Sequence, residues 1–309
     1  MIPSPGGYTT EVNGIQLWYK VAGKGKRPIL VVQGPGWGLG SAYLEQTFAP
    51  LEDQITVIYY DTRGSGRSER PKNAEEINVG YMVEDLEALR QHLELSSFAL
   101  IGHSHGGYIA LNYALKYQKC LSHLILVGGM LGVSEVEADV QRNLPKLAKT
   151  EKFAEAAKAL EESNSPKSDE EFGALFQRTL PLYFYDPDEG ASVFCRLKLA
   201  NPVLSASAAT SASNSRFAVR NDLHKIRVPT LVLVGRHDFI TSPEQAQIIQ
   251  EGIAGSKMVV LEKSGHYPWL EEPDAFFGEV GNLLLNRPIA PKGQFEIGKP
   301  LEPEKQRGL

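Results

Sequence analysis

The chain has 309 residues, of which 42% are hydrophobic and 22% are charged, and its formal net charge at pH 7 is −5. This composition is typical of a globular protein with one large or two small domains. The slightly acidic balance argues against a nucleic-acid-binding surface.

The sequence also favours a cytoplasmic location. No apolar run is long enough to span a bilayer, and the first residues lack a basic, apolar leader, so we expect no membrane partner. Cys120 and Cys195 are too few and too far apart for a disulfide framework or a zinc site, as expected in a reducing compartment.

Short apolar strands and helices alternate along the first part of the chain. Asn13-Gly14 lies between two strand-like runs and predicts a tight hairpin. Further strands are predicted at PILVVQ (28–33) and ITVIYYD (55–61), and a helix is predicted over 79–95.

The same alternation continues through the middle and the end of the chain. FALIGHS (98–104) predicts a strand that meets a helix, and LSHLILVGG (121–129) predicts another strand. Later elements are a strand at 229–238, a helix at 243–253, a strand at 256–266 and a helix from about Glu271. This order predicts an α/β fold, with a mostly parallel central sheet, helices on both faces and the hairpin as an antiparallel edge.

A long interruption divides the predicted core. Residues 132–225 are rich in Ala, Glu and Lys with helical periodicity, which predicts a helical lid (cap) inserted over the carboxyl edge of the sheet. The core is then 1–131 and 226–287. Residues 288–309 lose the apolar periodicity and are predicted to be an extended or disordered tail.

The stretch GHSHGG (102–107) predicts a nucleophilic serine. It matches G-x-S-x-G directly after a strand and directly before a helix, where a sharp turn exposes the serine hydroxyl. The expected base and acid follow in the order acid, then histidine: Asp238 and His266 each end a predicted strand. Asp222 and Glu135 are fallback acids.

Neither histidine beside Ser104 is expected to be the base. His103 should point away towards the surroundings of the sheet. His105 should donate its backbone N–H to an oxyanion hole, and whether its ring touches substrate is left open. The second N–H should come from Gly34, with Gly36 in reserve, because Pro35 has none.

The motifs predict no cofactor and no metal. The loop QGPGWGLG (33–40) would need glycine at position 39 to match a dinucleotide fingerprint, and Leu39 stands there. The H-x-H pair at 103–105 lacks a third ligand at a convincing spacing.

The expected partner is a small-molecule substrate of largely apolar character. Trp37 projects from the glycine-rich loop, and Tyr183, Phe184 and Tyr185 form the most aromatic part of the insertion. These side chains either line a pocket over Ser104 or, for the last three, form the core of the lid. A homo-oligomer is compatible with the sequence.

Together these stretches resemble the α/β-hydrolase superfamily, and within it the proline iminopeptidase-like branch. The resemblance covers roughly residues 8–130 and 225–286, and its motifs are GPGWG, DTRGSGRS, GHSHGG, GRHD and SGHYPW. It implies Ser104 as nucleophile, Asp238 as acid, His266 as base, and Gly34 and His105 as oxyanion donors.

The chain departs from that branch at two places. The usual H-G-G-P-G is replaced by V-Q-G-P-G at 32–36, and the region expected to hold a substrate's amino terminus, 191–210, contains no acidic residue. We therefore expect a serine hydrolase that cleaves an ester, lactone or amide. The alternatives are a proline-type aminopeptidase and, from another class, a non-hydrolytic synthase or cyclase or a ligand receptor.

Overall fold

A computed structural model describes residues 2–23, 28–163, 165–188, 190, 192, 205–213 and 219–289. Its strands are β1 (Gly6–Val12), β2 (Ile15–Ala22), β3 (Ile29–Gln33), β4 (Thr56–Tyr60), β5 (Phe98–His103), β6 (Leu121–Val127), β7 (Thr230–Gly235) and β8 (Lys257–Leu261). They form one sheet in the order β1-β2-β4-β3-β5-β6-β7-β8. β2 runs antiparallel to β1 and β4, and the other neighbouring pairs are parallel. The predicted α/β fold with a hairpin edge is confirmed.

Helices cover both faces of this sheet. The α-helices of the described residues include α1 (Ala42–Thr47), α2 (Ala49–Glu52), α3 (Val79–His92), α4 (His105–Tyr117), α5 (Val133–Leu147), α6 (Glu151–Glu161), α7 (Asp169–Thr179), α8 (Ala206–Ser213), α9 (Pro243–Gly252), α10 (Pro268–Glu271) and α11 (Pro273–Leu285). α3, α4 and α9 share one hydrophobic core with the sheet, and α1, α2 and α11 share the other. Strands β3 to β5 are therefore buried along their whole length.

The parallel strands bring the chemistry-bearing loops to one edge of the sheet. β3, β5 and β7 run in the same direction, so the residues after Gln33, His103 and Gly235 lie at their common carboxyl edge. β8 ends at Leu261, earlier than the strand predicted to 266, and the residues that follow form a loop.

The insertion between β6 and β7 is helical where the structure describes it. It contains α5 to α8, and a small hydrophobic cluster that includes Leu144, Phe153 and Leu182 joins its first part to Phe239 of the core. The boundaries of lid and core stay predictions. Of the predicted tail, Ile289 still packs in the core, and residues 290–309 lie outside the described residues.

A buried ion pair ties the hairpin, the loop after β4 and α3 together. The Arg63 guanidinium donates from Nε and Nη2 to the two oxygens of Asp85, both at 2.6 Å. Asn13, in the hairpin turn, donates to the same carboxylate at 2.9 Å. Burial raises the pKa of Asp85, and the Arg63 charge opposes this shift.

We predict that Asp85→Ala lowers the free energy of unfolding by about 3–5 kcal/mol, because it leaves the buried Arg63 charge with only a 3.9 Å contact to the exposed Glu76 carboxylate. Urea unfolding followed by circular dichroism measures the change. The matched control is Asp222→Ala, which breaks an exposed pair with Lys225 and is expected to cost less than about 1 kcal/mol. A loss for Asp85→Ala as small as that of the control would contradict the prediction.

Candidate active site

Ser104 occupies a strained turn between β5 and α4. Its backbone angles are φ 57° and ψ −124°, a region that residues with side chains rarely adopt. Flanking glycines allow the close approach that holds this turn. A Cβ at Gly102 would lie 2.4 Å from the carbonyl oxygen of Gly106, and one at Gly106 would lie 2.5 Å from that of Gln33. The serine is thus fixed at the amino terminus of α4.

His266 and Asp238 form a buried hydrogen-bonded pair. His266 Nδ1 lies 2.7 Å from Asp238 Oδ2, and both residues are 3% exposed. Thr241 donates its hydroxyl to the same oxygen at 2.8 Å, and the backbone N–H groups of Ile240 and Thr241 donate to Oδ1. The carboxylate is therefore fully hydrogen-bonded, and the ring nitrogen Nε2 is the one left for chemistry.

The loop after β3 is bound firmly to the start of α4. A carbonyl oxygen only accepts, so His105 donates from Nδ1 to the Pro35 carbonyl at 2.5 Å. Burial lowers the pKa of His105 to about 4, which keeps this ring neutral. The side chain is a buried brace and does not lie exposed at the mouth of the site. It also forms part of the cavity wall, edge-on to Trp37 at 5.1 Å between ring centroids.

The buried Asp61 of the DTRGSGRS motif supports the far end of this loop. Its Oδ1 accepts from the backbone N–H and the hydroxyl of Ser41, at 2.6 and 2.7 Å. Its Oδ2 accepts from the backbone N–H and the guanidinium of Arg67, both at 2.8 Å. Gly34 follows β3 directly, and His105 is the first residue of α4. The backbone at both predicted oxyanion donors is therefore held in place by the neighbouring strand, helix and hydrogen bonds.

The sequence suggested that His103 points away from the site, but in the structure its ring faces the site. Its ring lies under His266, with 4.5 Å between the ring centroids, and it contributes to the same cavity wall as Ser104. The expectation was wrong because Tyr267 and Trp269, which follow His266 in the chain, pack against the His103 ring and bury it.

Ser104 and His266 open into one small cavity of about 160 Å³. The cavity is walled mainly by apolar and aromatic side chains from the core and the insertion: Pro35, Trp37, Leu39, Tyr43, Met130, Val136, Phe172, Phe176, Tyr183, Ile240 and Tyr267. The remaining lining residues are His103, Ser104, His105, Thr241 and His266. Within the described part of the chain, this wall therefore contains no carboxylate and no lysine or arginine.

The four aromatic residues expected around the pocket divide into two groups. Trp37 and Tyr183 line the cavity beside Ser104. Phe184 is 1% exposed and packs on Tyr267, while Tyr185 is 39% exposed and lies against the His237 ring at 4.6 Å between centroids. The latter two line a separate cavity of about 410 Å³, which Asp238 also lines.

The fallback acids lie away from His266. Asp222 pairs with Lys225, and Glu135 accepts a hydrogen bond from Ser134. In the ranges that the structure describes, no three His, Cys, Asp or Glu side chains are grouped so as to hold a metal ion. None of the helices described there is both long and apolar enough to cross a membrane.

Glu271 clamps the insertion to the loop that carries His266, and no sequence motif signalled it. Its Oε1 accepts from the backbone N–H groups of Tyr185 and Asp186, at 2.8 and 3.3 Å. Its Oε2 accepts from the N–H of Gly265 at 2.7 Å. Burial, with a smaller contribution from the Glu272 charge, raises the pKa of Glu271 to about 7.

We predict that Glu271 gives the folded state a characteristic pH dependence. The pKa of its carboxyl rises from 4.5 to about 7, so folding takes up a proton between these pH values. The free energy of unfolding therefore falls as the pH rises through this window. Relative to Glu271→Gln, the wild type should lose up to roughly 3 kcal/mol between the two pH values. Urea unfolding at each pH measures the difference.

Glu262→Gln is the control of opposite sign. A hydrogen bond from Arg236 lowers the pKa of Glu262, so the wild type should gain stability over this variant as the pH rises through the acid range. A wild-type–Glu271→Gln difference that stays constant from pH 4.5 to 7 would show that the carboxyl does not titrate there.

Comparison with known proteins places the chain in a family. A family model described as the α/β hydrolase fold matches residues 28–273. A proline iminopeptidase of Saccharolobus solfataricus is 30% identical over 286 residues, which is 89% of this chain and 90% of that protein. Proline iminopeptidase PfmaB of Pestalotiopsis fici is 29% identical over 277 residues, 89% of this chain and 98% of that protein.

Solved structures show the same fold. The enol-lactonase from Burkholderia xenovorans LB400 matches with a TM-score of 0.68 and 23% identity, covering 89% of this chain and 99% of that one. The proline iminopeptidase of Mycobacterium smegmatis matches with a TM-score of 0.69 and 19% identity, covering 91% and 98%. The resemblance expected from the motifs is thereby confirmed. The chain belongs to the α/β-hydrolase family, is similar to its proline iminopeptidases, and is a hydrolytic enzyme for a small-molecule substrate.

Proposed function

We propose that the protein is a serine hydrolase in which Ser104 is the nucleophile, His266 the general base and Asp238 the acid that orients it. The observation that carries the proposal is the 2.7 Å bond between His266 Nδ1 and Asp238 Oδ2, beside a serine held in a strained turn of the same site. A serine hydroxyl needs such a base, and the base needs a fixed tautomer.

Acylation begins when Ser104 Oγ attacks the carbonyl carbon of the substrate. His266 Nε2 takes the hydroxyl proton, while its Nδ1–H remains bonded to Asp238, which stabilises the imidazolium. The carbonyl oxygen becomes an oxyanion and accepts from the backbone N–H groups of Gly34 and His105. The N–H of His105 is free for this purpose because the first N–H groups of a helix have no partner within the helix.

Collapse of this intermediate breaks the bond to the leaving group. The leaving group departs with the proton from His266, and the acyl group stays on Ser104. Water then gives a proton to His266 and attacks the acyl carbon, and the proton returns to Ser104 Oγ as the acid is released. The enzyme is regenerated without any cofactor.

The cavity wall favours an uncharged, largely apolar acyl group. Its side chains are mostly apolar and aromatic, and its volume of about 160 Å³ suits a small to medium group. We therefore propose an ester, lactone or amide of this kind as the substrate class. A cytoplasmic location stays a prediction.

A proline-type aminopeptidase (iminopeptidase) is the second candidate, because relatives at 29–30% identity are named proline iminopeptidases. That reaction requires the enzyme to hold a positively charged amine, and a desolvated charge needs a carboxylate partner. Among the described residues no carboxylate lines the cavity. The non-hydrolytic alternatives are set aside, because these relatives are named as peptidases.

We predict that a fluorophosphonate probe labels Ser104 in the folded protein and that mass spectrometry of the tryptic peptide locates the adduct there. Ser104→Ala should abolish labelling and lower kcat by at least about 10⁴-fold, because the nucleophile is lost. Its thermal unfolding should remain cooperative, which excludes misfolding as the cause. Labelling of wild type at another residue would refute the assignment.

We predict that the enzyme prefers a neutral acyl group over a free amino terminus. N-acetyl-L-proline p-nitroanilide and L-proline p-nitroanilide share one leaving group and differ mainly in the charge of the amine. The neutral compound should have a kcat/KM at least about 10-fold higher, equivalent to about 1.4 kcal/mol. The reverse preference would support the aminopeptidase alternative. Comparison of acetate and butyrate 4-nitrophenyl esters then measures the length of acyl chain that fits.

A further inference from the structure

We propose that His103 and Tyr43 are positioning residues, which hold the His266 imidazole in register with Ser104. The inference rests on the proposed serine-hydrolase mechanism. It gives a function to two buried polar side chains that the reaction steps themselves do not use.

A chain of hydrogen bonds joins the three residues. His103 Nδ1 lies 2.8 Å from the Tyr43 hydroxyl, and His103 Nε2 lies 3.0 Å from the main-chain carbonyl oxygen of His266. His103 and Tyr43 are 3% and 2% exposed. Neither bond is local, because the first spans 60 positions of the sequence and the second spans 163.

The direction of each hydrogen bond follows from the chemistry of the groups. Burial, together with the neighbouring His266, holds the pKa of His103 well below its usual range, so the ring is neutral. A carbonyl oxygen only accepts, so Nε2 carries the single ring proton and donates it to His266. Nδ1 is then an acceptor, and the Tyr43 hydroxyl must donate to it. Tyr43 thereby fixes the tautomer that His103 needs.

His266 is consequently held at three points around its free ring nitrogen. Its N–H donates to the Tyr183 carbonyl at 2.7 Å, its C=O accepts from His103, and its Nδ1 bonds Asp238. The main-chain bonds fix the position of the Cα atom, and the bond to Asp238 fixes the rotation of the ring. Only Nε2 remains available to take the proton from Ser104.

His103 also directly precedes Ser104 in the chain. The group that holds the base is therefore part of the strand that carries the nucleophile, and the two reacting groups share one support. Trp269 stands edge-on to the His103 ring at 4.7 Å between centroids and is itself anchored by a bond from its Nε1 to Thr47. Such support matters because a displacement of about 1 Å between reacting groups can cost about 100-fold in rate.

Two substitutions of His103 separate positioning from packing. Glutamine can supply an N–H in place of Nε2, whereas leucine fills space but donates nothing. We expect His103→Leu to lower kcat for a neutral 4-nitrophenyl ester by about 10- to 100-fold with little change in KM. His103→Gln should restore kcat to within about 5-fold of wild type, since it replaces the hydrogen bond. A residue needed only for packing would give the opposite order, because leucine suits a buried apolar site better.

Matched controls and a second variant keep the test decisive. His123→Leu and His123→Gln change a partly buried histidine of β6, outside the cavity wall, and should leave kcat unchanged. Tyr43→Phe removes the donor to Nδ1 and should lower kcat by about 3- to 10-fold. Its control, Tyr113→Phe, removes a buried hydroxyl that bonds Glu87 and should affect stability alone. If His103→Leu does not fold, the comparison of kcat between Tyr43→Phe and Tyr113→Phe tests the inference.

The outcomes distinguish this inference from the mechanism beneath it. Wild type that neither hydrolyses the ester nor reacts with fluorophosphonate at Ser104 overturns the serine-hydrolase mechanism, and the inference with it. Active wild type with His103→Leu equal to or faster than His103→Gln overturns the inference alone, as does Tyr43→Phe with unchanged kcat. Slow but stoichiometric labelling of Ser104 in His103→Leu supports it, because the nucleophile is then present and poorly activated.

Discussion

The close approach of α4 to the sheet is the constraint on which the site depends. A Cβ at Gly102 would lie 2.4 Å from the carbonyl oxygen of Gly106, and a Cβ at Gly107 would lie 2.7 Å from the Cα of Gly129. With these side chains absent, the chain turns from strand to helix through a single residue, and Ser104 takes up the strain. Strain of this kind costs about 1–3 kcal/mol and persists only where the surroundings enforce it. The glycines therefore act by admitting the helix, and the helix positions the serine.

The residues proposed for the reaction could be found from sequence because each one follows the carboxyl end of a strand. Ser104 follows β5, Asp238 follows β7, and His266 lies in the loop after β8. Apolar β-branched runs identify buried parallel strands, and parallel strands place their carboxyl ends at one edge. The sheet itself was predictable for the same reason. The last strand ends at Leu261 and not at 266, because residues 262–266 (Glu-Lys-Ser-Gly-His) are polar or small and form a loop.

The supporting contacts could not be found in that way, because they join distant segments. Glu271 reaches Tyr185 across 86 positions, and His103 reaches His266 across 163. The sequence around a histidine or a glutamate does not predict which distant group its side chain will contact after folding. The aromatic run at 183–185 illustrates the same limit. A short 3₁₀ turn ends at Tyr183 and Phe184 is extended, so Tyr183 reaches the cavity, Phe184 enters the core and Tyr185 faces outward.

In the proposed mechanism, the cavity wall and not the three polar groups selects the bond that is cleaved, since the same three groups serve many hydrolases. A carboxyl close to this site has its oxygens committed elsewhere. Glu271 accepts three main-chain N–H groups, so it has little capacity left for a substrate's amine. The described wall is otherwise apolar or made of serine, threonine, tyrosine and histidine side chains, with no carboxylate to pair with an amine. A charged amine would lose its hydration there without compensation, whereas an apolar acyl group gains by leaving water.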